Sequence, residues 1–174
     1  MHMSELESGN SLQLRIAELE SDNERLANLY VASHQLHGTL DRSVVLSAIQ
    51  EIVVNLIGSE NFGVFERGPD SLSLVCSVGL NQRDAAVVRA GLRQIWSSIE
   101  RGELLLRPAT IGDWVACLPL KVDGRVTGVI AICRLLSHKP ALERLDFELF
   151  DLLATEAASA LYCTSLIERV QVTA

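Results

Sequence analysis

The chain has 174 residues, enough for one domain of ordinary size plus an additional element. Hydrophobic residues make up 48% and charged residues 21%, which excludes a disordered chain and leaves material for a real core. The net charge is −7, and residues 1–40 hold six acids against two arginines; with no basic stripe elsewhere, nucleic acid and an anionic membrane surface are not expected as direct partners.

Residues 1–10, MHMSELESGN, are polar and acidic, unlike a secretory signal, and are expected to be a flexible start. No window anywhere approaches the roughly 18 apolar residues of a membrane span. Residues 11–37 contain neither Pro nor Gly. Leu12, Ile16, Leu19, Asn23, Leu26 and Tyr30 step by four, three, four, three and four, a heptad stripe with Ile16, Asn23 and Tyr30 at a and Leu12, Leu19 and Leu26 at d. Arg15 at g and Glu20 at the following e have the spacing of an interhelical ion pair in a parallel two-stranded coil. An amide inside an apolar seam is costly unless it meets a partner, and Asn23 facing its own copy is such a partner. The segment is expected to be a coiled-coil dimerisation helix; the alternative is an amphipathic helix lying on its own domain.

Gly38 permits a break, and Thr39 or Asp41 can cap a second helix that Gly58 ends, with Val45, Ile49, Ile52, Val53 and Leu56 on its apolar face. NFGVFERG and SLSLVCSVGL read as a hairpin about a GPDS turn, with Leu72, Leu74, Cys76 and Val78 on one face. Residues 82–100 return to helical spacing through Ala85, Val88, Leu92 and Ile99. A mixed loop with an edge strand near Leu104–Leu106 follows. WVACLPLKV and RVTGVIAICRLL then flank Asp123-Gly124, a strong signal for a type I′ hairpin. Residues 140–169 form a last long helix whose stripe includes Leu149, Leu153, Ala157 and Leu161.

The order helix, helix, strand, strand, helix, three strands, helix predicts an α+β fold: a central antiparallel sheet of five to six strands, helices 41–57 and 144–168 on one face, and a covering helix and loops, 81–113, on the other. CLPLKVDGRVTGVIAICRL with LERLDFELFDLLATEAASALYCTSLIERV resembles the C-terminal half of a GAF domain, and LHGTLDRSVVLSAIQEIVVNLIG with FGVFERG and SLSLVCSVGL resembles its opening half. The resemblance covers roughly residues 29–169. A PAS domain has a related sheet but places several short helices after its first two strands. The division expected is a flexible start (1–10), a coiled-coil helix (11–37), a GAF-like domain (38–169) and a tail (170–174).

The resemblance implies a sensory or regulatory module that binds a small molecule between sheet and cover and forms a homodimer through its first and last helices; four cysteines with no C-x-x-C pair, set among apolar neighbours, add the expectation of a cytoplasmic protein. A protein partner in a signalling pathway follows from the same resemblance. The Asn-Lys-x-Phe pattern of cyclic-nucleotide-binding relatives is missing. Residues 79–113 lack the Cys and His that a bilin needs, and no His is placed as an axial ligand for haem. No cofactor is expected, and no His/Cys/Asp cluster has metal-ligand spacing. Cys76, Cys117, Cys133 and Cys163 sit among apolar neighbours and read as reduced core residues, so thiol catalysis, as in relatives that reduce free methionine sulfoxide, is a third reading after sensor and pure interaction module. The ligand pocket expected on the sheet is lined by Cys76, Val78, Arg93, Trp96, Trp114 and Cys117. Tryptophans suit the wall of a small-molecule site, and Arg89, Arg93 and Arg107 lie where they would meet an anion. The plainer alternative is that the tryptophans fill core and the arginines keep a helix face soluble.

Overall fold

The computed structural model describes residues 2–107 and 114–173, with side chains from residue 11 to residue 170. Helix α1 (His2–His37) is continuous over 36 residues, roughly 54 Å at 1.5 Å per residue. It starts at His2, ahead of the boundary at residue 11 that the heptads suggested. Helix α2 (Arg42–Glu51) follows, capped by Asp41, whose carboxylate accepts from the Ser43 amide. It runs on through a wide turn, Ile52–Ile57, and stops at Gly58, whose φ of 76° lies in the left-handed region that ends helices.

Strands β1 (Ser59–Arg67) and β2 (Leu72–Val78) make the first hairpin. The middle helix is split: α3 (Gln82–Gln94) ends at Ile95 and α4 (Trp96–Glu100) begins beyond it. Asn81 caps α3 by accepting from the Asp84 amide at 2.9 Å. A two-residue edge strand, β3 (Leu105–Leu106), leads toward β4 (Ala116–Val122) and β5 (Arg125–Leu135). The turn between β4 and β5 has positive φ at both centres, 49° at Asp123 and 74° at Gly124, as a type I′ turn requires. Helix α5 (Arg144–Leu152), a wide turn at Leu153–Ala157 and α6 (Ala158–Thr173) form the last helical run.

Among the described residues the sheet has five strands in the order β2-β1-β5-β4-β3, all paired antiparallel. Its helix face, with Phe62, Val64, Leu118, Leu120, Ile130 and Ile132, packs on α2, α5 and α6. Its cover face, with Phe65, Leu72, Cys117, Val129 and Ala131, packs on Val88, Leu92 and Ile99 of α3 and α4. The sheet is covered on both faces, as the element order predicts. Side chains alternate along each strand, so β4 and β5 feed both cores, which is why they read as nearly continuous apolar runs.

One register feature departs from the sequence reading. Val64 pairs with Cys76, but Phe65 pairs with Leu74, so Val75 is an extra residue, a β-bulge. A bulge shifts the alternation by one. Leu72 and Leu74 therefore pack on the cover side, while Cys76 and Val78 pack with the helix-side core. They do not share the single face that strict alternation assigns them.

Helix α1 carries two stripes. Leu29, Ala32 and Leu36 pack into the helix-side core, and Arg25 bonds Glu148 on α5. The heptad stripe lies roughly a third of a turn further round, at about 100° per residue. Its members are exposed: Leu12 62%, Leu19 61%, Leu26 59% and Tyr30 71%, with Ile16 and Asn23 also exposed.

Candidate functional site

A cavity of about 880 Å³ opens on the cover face between the N-terminal half of α3, the start of β1 and the end of β5. Val87 and Val88 come from α3, Val115 stands just before β4, and Cys133 comes from β5. Antiparallel pairing sets Asn61 opposite Arg134, so the first residues of β1 and the last of β5 share the rim. The α3 cap at Asn81 turns Asp84 toward the same space.

Several polar groups of the rim are already engaged. Arg134 lies 3.6 Å from Glu60. Asn61 Nδ2 donates to the Gly79 carbonyl at 2.6 Å. Lys139 Nζ donates to the Ile57 carbonyl at 2.5 Å and to Asp146 at 2.7 Å, holding the end of the first helical pair against α5. The Asp84 carboxylate has no partner among the described residues. The lining is mixed: Leu80, Val87, Val88 and Val115 stand beside Glu60, Asn61, Asp84 and Arg134, and polar groups take a share at least equal to the apolar ones.

The six residues assigned to a pocket from sequence do not surround one cavity. Cys76 and Val78 lie on the helix side of the bulge. Cys117 is fully buried in the cover-side core, with Trp114 3% exposed beside it. The Arg107 guanidinium stacks over the Trp114 ring at 4.1 Å, and the indole Nε1 is buried without a hydrogen-bond partner. Arg93 and Trp96 do meet, in a separate cavity of about 420 Å³ near the β1–β2 turn. The residues missed, such as Asn61, Asp84, Val115 and Arg134, have no local signature; they converge only through strand pairing and the α3 cap. The covering loop expected over 101–113 falls partly outside the described residues.

Cys117 and Cys76 lack the setting of a nucleophile. Burial pushes the Cys117 thiol far above its ordinary value, and the neighbouring Cys133 adds to this. Burial also raises the Cys76 thiol. A raised pKa leaves the protonated, unreactive form at neutral pH. Cys163 is exposed on α6. Among the described residues no group of three His, Cys, Asp or Glu side chains is placed to hold a metal ion, and no helix is long and apolar enough to cross a membrane.

Comparison with solved structures decides the fold. The GAF domain of a protein from Pseudomonas syringae pv. tomato superposes with a TM-score of 0.61 at 19% identity, covering 90% of this chain and 99% of that one. The fold is that of a GAF domain. The GAF domain of a two-component sensor histidine kinase from Bacillus halodurans gives a TM-score of 0.53 at 12% identity, over 75% of this chain and 99% of that one. A methyl-accepting chemotaxis protein, residues 122 to 287, gives 0.54 at 19% identity, over 78% and 98%. No family model matches the chain, and no curated protein matches it. The cavity over the cover face is bounded by the start of β1, the end of β5, helix α3 and Val115.

Proposed function

We propose that this chain is a regulatory, signal-transducing module that works as a parallel homodimer through α1, with α6 beside it, and that the 880 Å³ cleft holds its small-molecule signal. One observation carries the reading. Helix α1 satisfies its own domain with Leu29, Ala32 and Leu36, yet presents a second apolar stripe of heptad spacing to solvent, with one amide at an a position. A helix needed only for packing has no use for the second stripe. Helix α6 likewise exposes Tyr162, Leu166 and Val170 at steps of four. Structural neighbours from a sensor kinase and a chemotaxis protein support a signalling role. A signal would pass as a change in helix packing between the body and the coil, inside the cytoplasm.

Asn23→Val tests the dimer. Paired a-position amides trade stability for a defined strand number. The variant should melt higher and admit trimers or mixed registers in light scattering. A monomer, unchanged by the substitution, would remove the coiled coil. A thermal-shift screen of nucleotides, organic acids and amino acids tests the cleft, because a ligand that binds only the folded state raises its stability.

A second reading is a pure interaction module for a protein partner in a signalling pathway. The burial of Trp114 and Cys117 favours it, since the deep part of the cover face is filled by the chain itself. Thiol catalysis is the weakest reading, because Cys117 and Cys76 are held protonated. Absence of any methionine sulfoxide turnover by the intact protein removes it. We read the chain as non-enzymatic.

A further inference from the structure

The cavity of about 420 Å³ near the β1–β2 turn is separate from the cleft, and its chemistry is different. Its walls are the turn itself, Gly68 to Leu72, together with Arg67, Arg93 and Trp96. Arg67, the last residue of β1, lies over the Trp96 ring at 5.3 Å and reaches Glu100 on α4 at 2.7 Å. Arg93 stands three residues before Trp96 and has no carboxylate partner among the described residues.

Arg67 is already met by Glu100, so the Arg93 guanidinium is the cation of this lining left without a carboxylate partner among the described residues. Asp70, on the turn, is the opposing charge at the rim. We propose that this cavity is a binding site for a small aromatic organic anion. Its ring would lie against Trp96, Pro69 and Leu72, and its charged head would sit between Arg93 and Arg67, displacing Glu100. Guanidinium forks bind carboxylate and phosphate oxygens in pairs, so both head groups suit the site. The site does not rest on the dimer or on the cleft.

The test uses the full chain labelled at its two tryptophan indoles and titrated, by nuclear magnetic resonance, with benzoate, phenyl phosphate, benzamide and cyclohexanecarboxylate. Benzoate or phenyl phosphate should shift the Trp96 indole signal and leave that of Trp114 in place; the tighter of the two names the head group. Benzamide keeps the ring and loses the charge, and should bind about tenfold more weakly, the scale of one charge-assisted hydrogen bond. Arg93→Gln, at an exposed position, should weaken the acids by about the same factor with an unchanged melting temperature. Asp70→Asn should tighten them by removing a like charge. The proposal is overturned if neither acid moves the Trp96 signal, if benzamide or the non-aromatic acid binds as tightly as benzoate, or if Arg93→Gln leaves affinity intact.

Discussion

Arg42 at the start of α2 meets Glu66 near the end of β1 at 2.7 Å, and the same guanidinium donates to Ser165 on α6 at 2.8 Å. Arg67, next along β1, points to the opposite face and is held there by Glu100 and Trp96. Two consecutive residues of opposite charge thus fasten the end of the hairpin to helices on both sides of the sheet. Alternation along a strand makes this possible.

Arg42→Ala is expected to cost about 1.5–3 kcal/mol, the range for hydrogen bonds to charged groups, because Arg42 is largely buried and serves three elements. A double-mutant cycle with Glu66→Ala should show a coupling of roughly 0.5–3 kcal/mol. Zero coupling in urea unfolding would reduce the pair to a surface contact. Hydrogen exchange in α6 should quicken in the same variant.

The Lys139–Asp146 pair is the most buried charge pair among the described residues, with Asp146 1% exposed. Asp146 also accepts from the Glu143 amide at the start of α5. Lys139→Met leaves that carboxylate buried without its cation, which should cost about 3–5 kcal/mol. Adding Asp146→Asn should recover part of the loss. Chemical denaturation of the single and double variants decides it.

Gly79 and Gly124 both have positive φ, at 67° and 74°, but their surroundings differ. A Cβ on Gly124 meets nothing within 4 Å, whereas one on Gly79 would lie 2.3 Å from the Glu60 carbonyl oxygen. Gly124→Ala should cost about 1 kcal/mol, for conformation alone. Gly79→Ala should cost clearly more and disturb the cleft rim at Asn61. Equal melting temperatures for the two variants would contradict this.

The thiols give a pH dependence. Cys117 and Cys76 keep their protons in the folded chain to a pH above the ordinary value of 9.0, while the unfolded chain releases them near it. The folded state therefore binds more protons above that point, and stability falls as pH rises past about 9, by up to ~1.4 kcal/mol per pH unit for each thiol. Below it these groups contribute no slope. At neutral pH iodoacetamide should label exposed Cys163 first and Cys117 last. Fast labelling of Cys117 in the folded chain would contradict its burial.

Much of the fold was legible because its signals are local. The α2 stripe, the Asp123-Gly124 turn, the Gly58 stop and the apolar runs of β4 and β5 each need only neighbouring residues. What the sequence hid depends on pairing. The bulge at Val75 reverses the faces of Leu72 and Cys76, and no residue type marks it. The break at Ile95 divides a helix whose spacing reads as continuous. The cleft is the extreme case: Asn61 and Arg134 are 73 positions apart and meet only because β1 pairs with β5. Trp96 and Arg93, both placed at the cover from sequence, line one cavity because they stand three residues apart.

The account turns on the exposed stripe of α1. Leu19→Asp with Leu26→Asp tests it without touching the domain, because both side chains are more than half exposed in the single chain. Sedimentation velocity should give the native protein at twice the monomer mass and the double variant at the monomer mass, with both showing the same helical and sheet signals in circular dichroism. A native protein that sediments as a monomer, or a double variant that remains a dimer, would contradict the account.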